Sequence, residues 1–87
     1  MKIPQELLDQ YGIKRTEIVF TNPKRVILRY HGGKDEVYEN VSEMDVEDGP
    51  LSVPIGASIH VYYETDEGER AMYTAAENII EVIVADR

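Results

Sequence analysis

The chain has 87 residues, 17 of them Asp or Glu against nine Lys or Arg, for a net charge of −8. It has no cysteine. That length bounds a single domain, that charge argues against nucleic acid or an anionic membrane held by general attraction, and a disulfide staple is excluded.

A chain of this size buries only about 60–65% of its unfolded surface, so its core is modest. His31 and His60 are its only soft metal ligands and stand far apart, which leaves a structural zinc without a ligand set. A partner subunit is the one staple left open. No apolar run approaches the ~20 residues of a membrane-spanning helix. The amino end, residues 1–12, lacks the apolar segment of a signal peptide. The expectation is a cytoplasmic protein of a prokaryote or of a virus that infects one.

Residues 3–12 read as a short helix. Pro4 suits a first helical turn, Glu6 favours the positive helix start, and Gly12 is a natural stop. Leu7, Leu8 and Tyr11 fall on one face, with Ile3 a turn earlier. Two turns are not stable alone, so the helix must dock on a sheet.

From Thr16 the pattern turns to strands. Residues 17–20 form a first run, Asn22-Pro23 marks a turn, and residues 24–31 form a second run. Gly32-Gly33 predicts a two-residue hairpin turn, returning through residues 34–41. That register sets Arg29 opposite Glu36 and Ile27 opposite Tyr38. Val26, Leu28, Tyr30, Val37 and Val41 then share one side, and Arg25, Ile27, Arg29, Glu36 and Tyr38 the other.

Residues 42–56 read as a long acidic loop, with room for a short strand at residues 44–47 or 51–53. A second hairpin follows. Residues 57–65 pair with residues 69–75 through a three-residue Asp66-Glu67-Gly68 loop, which sets Glu64 opposite Arg70. His60, Tyr62, Met72 and Thr74 then share a side. Residues 79–84 are apolar on both sides except at Glu81, as in a central or covered strand. The expected fold is mainly β: a small antiparallel barrel or roll of five to six strands, of SH3-like or OB-like size, with one short N-terminal helix. An open sheet covered by the helix is the alternative.

Several groups invite a chemical reading. Glu43, Asp45, Glu47 and Asp48 are hard-cation ligands by type, but Asp48 stands where the calcium loop needs glycine, and a solvated acidic loop is the plainer reading. His60 could act as a base beside Tyr62 or Thr74, yet no serine or cysteine sits in a nucleophile motif, so a half-exposed strand histidine is the plainer reading. Gly32-Gly33-Lys34 joins two strands and is followed by Asp35 and Glu36, unlike a phosphate loop. Lys14, Arg15, Lys24, Arg25 and Arg29 form a cationic cluster with Tyr30 and Tyr38 nearby, set against a strongly acidic whole.

The sequence therefore assigns no catalytic residue, no cofactor and no metal. It points to a non-catalytic module that binds a protein partner or its own copies. The expected contact face is Ile27, Tyr38, His60, Tyr62 and Met72, or an exposed strand edge. One alternative is an acidic inhibitor that occupies a partner's nucleic-acid groove with Asp35, Glu36, Glu39, Glu43, Asp45, Glu47 and Asp48. Another is a small-molecule barrel using Arg29, His60 and Tyr62.

Overall fold

The computed structural model describes residues 2–49 and 56–86. Its order is one short helix, α1 (Gln5–Gln10), then strands β1 (Lys14–Tyr30), β2 (Asp35–Asp48), β3 (Ser58–Thr65), β4 (Gly68–Ala75) and β5 (Ile79–Ala85). The expected strand at residues 51–53 lies outside the described residues. All five strands join one antiparallel sheet in the order β4-β3-β2-β1-β5.

The sheet is open, with β4 and β5 as its edges, so the closed barrel is not what the described strands form. It is nevertheless curled. Four inter-strand steps of about 4.8 Å would hold the edges ~19 Å apart in a flat sheet. Yet Met72 of β4 and Ile79 and Val82 of β5 pack on the same core. A single 3-10 turn, Ala76–Asn78, joins the two edge strands and draws them together at that corner. The core inside the curl is Val26, Leu28, Val41, Met44, Ile59 and Val61. No helix among the described residues is long and apolar enough to cross a membrane.

The two runs expected on either side of Asn22-Pro23 are one strand. β1 passes through them with register shifts between Val19 and Val26. Proline has no N–H to give a ladder, and a bulge is where a strand tolerates that loss. β2 likewise continues past Asn40, whose φ is 56°, so residues 42–48 lie in a strand rather than in a long loop, and the short strand allowed at residues 44–47 is part of it.

Both hairpins are one residue away from the expected register. At the first, the Tyr30 N–H donates to the Lys34 carbonyl and the Gly33 N–H to the Tyr30 carbonyl. The loop therefore holds residues 31–33, and Arg29 faces Asp35 while Val26 faces Tyr38. At the second, Thr65 faces Gly68 across a two-residue loop, and Glu64 faces Glu69. The Thr65 hydroxyl makes that turn: it accepts from the Glu67 N–H at 3.2 Å and donates to the Gly68 carbonyl at 3.1 Å. A one-residue slip moves a whole strand to the other face. Tyr38 and Met72 consequently turn inward, and Val37 turns out to solvent.

The helix also differs in detail. Its stop is a full Schellman arrangement: the Ile13 N–H donates to the Leu8 carbonyl, the Gly12 N–H to that of Asp9, and Gly12 has φ 67°. Only Leu8 is buried, however, while Leu7 and Tyr11 face solvent. Leu8 is the pin that docks the helix.

Candidate functional site

The five residues expected to share a contact face are separated by the folded sheet. Tyr38 stacks at 5.1 Å on Tyr63 and donates its hydroxyl to Glu36 at 3.2 Å on the core side. Burial and the Glu36 charge push that phenol up to about 12. Met72 packs on the core. His60 is buried, Tyr62 is half-covered, and Ile27 is half-buried between Val37 and Ile83.

What the register brings together instead is a polar layer on the outer face, built from rows that cross the strands. One row runs Arg15–Glu47–Ser58, the next Glu17–Asp45–His60–Tyr73, and the next Val19–Glu43–Tyr62–Ala71. Period-2 alternation puts Glu43, Asp45 and Glu47 on one side of β2, away from Met44 in the core. The segment from Lys2 to Leu8 lies over this layer, and its contacts are specific. The Lys2 ammonium meets Glu17 at 2.6 Å, Glu43 in a shorter contact and Asp45 at 3.4 Å, and stands 5.4 Å from the centre of the Tyr62 ring. Arg15 bonds the Ile3 carbonyl at 2.7 Å and the Glu47 carboxylate at 2.9 Å.

Asp45 is 0% exposed, and neither carboxylate oxygen has a hydrogen-bond partner among the described residues. Burial, with the Glu43 carboxylate beside it, pushes Asp45 up to about 7. Burial also acts on Glu43, but the Lys2 ammonium in contact with it wins and holds it below its ordinary value. Burial opposes the Lys2 ammonium too. Its bonds to Glu17 and Glu43 and the charge of Asp45 outweigh that and hold it above the usual lysine value.

His60 is kept below its ordinary value by burial and by the Arg15 charge, against the pull of Glu47. Its Nε2 sits 2.8 Å from the Ser58 hydroxyl and 3.7 Å from a Glu47 oxygen. A nucleophile relay needs the hydroxyl on one ring nitrogen and the orienting acid on the other. Here both meet the same nitrogen, so Ser58, His60 and Glu47 form a packed polar contact without the relay geometry.

No family model, curated protein or solved structure matches this chain.

Beyond the polar layer the outer face changes character. Ile83, Ile27 and Val37 form a row across β5, β1 and β2, with Val37 54% exposed. On one side lies the row Glu81–Arg29–Asp35, joined by Arg29 bonds of 2.9 and 3.3 Å. On the other, Arg25 pairs with Glu39 and faces Ala85. Lys24 meets Asp86. The expected cationic cluster is thus largely met by carboxylates, with Arg15, Lys24, Arg25 and Arg29 each in an ion pair. Four of the carboxylates expected to fill a partner's groove are engaged within the fold. Asp45 and Glu47 are buried, and Asp35 and Glu39 are paired.

The edges differ as well. β4 carries Glu69 and Arg70, and Arg70 bonds Glu67 at 3.1 Å. β5 reads Ile-Ile-Glu-Val-Ile-Val-Ala, exposes Ile80 and Val84, and has its single charge tied to Arg29. The sequence missed this because a fully apolar strand reads as central. Only the strand order shows that it stands at an edge.

Proposed function

We propose that this protein is a non-catalytic self-association module whose β5 pairs antiparallel with β5 of a second copy. The observation that carries the reading is the apolar edge: among the described residues nothing pairs with the outer side of β5, and Ile80 and Val84 are exposed. An edge of this kind templates strand addition unless charge, proline or a covering element blocks it. β4 is the opposite case, guarded by Glu69 and Arg70.

The chemistry selects a register. Ile80 lies at a register shift between β1 and β5, so the regular part of the edge is residues 81–85. A two-fold at Ile83 sets Ile83 opposite itself, Val82 opposite Val84, and Glu81 opposite Ala85. The row Val37–Ile27–Ile83 then runs on without a break into its copy. Glu81 comes beside the Ala85–Arg25 row of the other subunit, so opposite charges flank the apolar row on both sides. The same patch meets itself, as a two-fold requires, and the contact closes at two subunits.

Ile83→Lys places like charges against each other at the axis. Sedimentation equilibrium should show the wild type as a concentration-dependent dimer and Ile83→Lys as a folded monomer. A wild type that stays monomeric at high micromolar concentration refutes the reading, as does an Ile83→Lys variant that still dimerises.

A further inference from the structure

Glu17 from β1 and Glu43 and Asp45 from β2 bring one carboxylate oxygen each to within 4.8 Å of one another. Glu17 faces Asp45 directly across the ladder, and Glu43 stands two positions along on the same side. Acidic clusters are common, and this one would carry little by itself. Asp45 distinguishes it: a carboxylate with no exposed surface and no hydrogen bond to either oxygen, aimed into the cluster. Buried polar groups are ordinarily bonded, and a buried carboxylate without donors either takes up a proton or is met by a cation. The Lys2 ammonium supplies one, but at 3.4 Å from Asp45 it leans toward Glu17 and Glu43. When all three carboxylates are ionised, one ammonium among them leaves two negative charges over.

We propose that Glu17, Glu43 and Asp45 form a binding site for a hard divalent cation, which takes the place of the Lys2 ammonium. The donor set is all oxygen, which suits calcium, manganese or magnesium rather than zinc. His60, the nearest soft ligand in the row, is engaged with Ser58. Glu17 is 48% exposed, and a cleft beside Lys2, Ser42, Glu43 and Tyr62 opens to solvent, so water can complete the shell. Cation and ammonium share one position, so each weakens the other's hold. Binding there frees Lys2 and loosens the amino-terminal segment from the sheet.

Calorimetric titration with calcium chloride, repeated with manganese chloride, tests the site on the whole chain at pH 8. One ion should bind per chain. Lys2→Ala should tighten it by about fivefold to tenfold, the effect of removing one competing ion pair. Asp45→Asn should weaken it by at least about tenfold. Glu17→Gln, at an exposed position, gives an independent loss should the buried substitution disturb folding. The proposal is overturned if Lys2→Ala takes up neither ion saturably at millimolar concentration. It is overturned equally if neither carboxylate substitution weakens uptake.

Discussion

The two halves of the outer face follow opposite rules. One half is charged and covered: Arg15, Glu47, Asp45 and His60 lie beneath the segment from Lys2 to Leu8, with almost no exposed surface. The other is apolar and bare of any covering helix: Val37 lies exposed, with Ile27 and Ile83 half-buried beside it, between two charged rows, and the patch ends at a strand whose outer side is unpaired among the described residues. Soluble domains ordinarily arrange these the other way round. A small sheet cannot cover both faces with six residues of helix. The helical segment covers the half where it finds ion partners, and the apolar half is left for another surface. Charge decides where the cover goes, and that placement determines which patch remains available for association.

The covered half offers the largest effects. Arg15 and Glu47 are a nearly dry pair, with side chains 6% and 8% exposed. Arg15→Ala leaves Glu47 buried without its partner and removes the tie to Ile3, and should cost about 3–5 kcal/mol in chemical denaturation. A loss below about 1 kcal/mol would mean that water reaches Glu47 and that the cover is loose.

Asp45→Asn should act in the opposite direction. Asp45 titrates near 7 folded against 3.8 unfolded, so the folded chain holds the proton more tightly. That contribution stabilises the fold at low pH and is lost as pH rises from about 4 through 7. The groups facing Asp45 are Glu17, Glu43, Lys2, His60 and Tyr62. His60 has the reverse sign: its folded value lies below 6.5, so stability falls as the unfolded imidazole protonates below that pH. Asp45→Asn should therefore stabilise the protein by ~1–3 kcal/mol at pH 8, and by little at pH 4. The variant should then lose stability from pH 8 to 5, where the wild type is offset by Asp45. Denaturant midpoints across pH check both arms.

The bare half should respond least in the isolated subunit and most in the assembly. Val37→Ser should change subunit stability by no more than about 0.5 kcal/mol, as exposed positions do. It should still weaken dimerisation measurably by sedimentation, because Val37 ends the shared apolar row.

Much of the fold was legible in the chain. The Gly12 helix stop, both hairpins and the apolar runs of all five strands follow from turn residues and alternation. What was lost was the joining of residues 17–20 to 24–31 through Pro23, the run of β2 past Asn40, and one residue of register at each hairpin, in opposite directions. Gly32-Gly33 permits a two-residue turn, but the loop takes His31 in as well. Gly68 permits a three-residue loop, but the Thr65 hydroxyl closes a shorter one. Loop lengths of two and three differ by little energy, and each slip exchanges the faces. The contact face read from Ile27, Tyr38, His60, Tyr62 and Met72 dissolved for that reason. The ion cluster was hidden by separation instead: Glu17 and Lys2 lie far from residues 43–47 in sequence and meet them only across the ladder and the docked segment.

The central claim, that β5 pairs with its own copy about Ile83, can be tested with one residue. The chain has no cysteine, so Ile83→Cys introduces a single thiol. Residues directly opposite in an antiparallel pair have Cα atoms about 4.5–5.5 Å apart, within disulfide reach. Mild oxidation at micromolar concentration should convert Ile83→Cys to a covalent dimer, while Tyr73→Cys on the β4 edge stays monomeric. A covalent dimer through Tyr73→Cys with none through Ile83→Cys, or no dimer from either, would contradict the account.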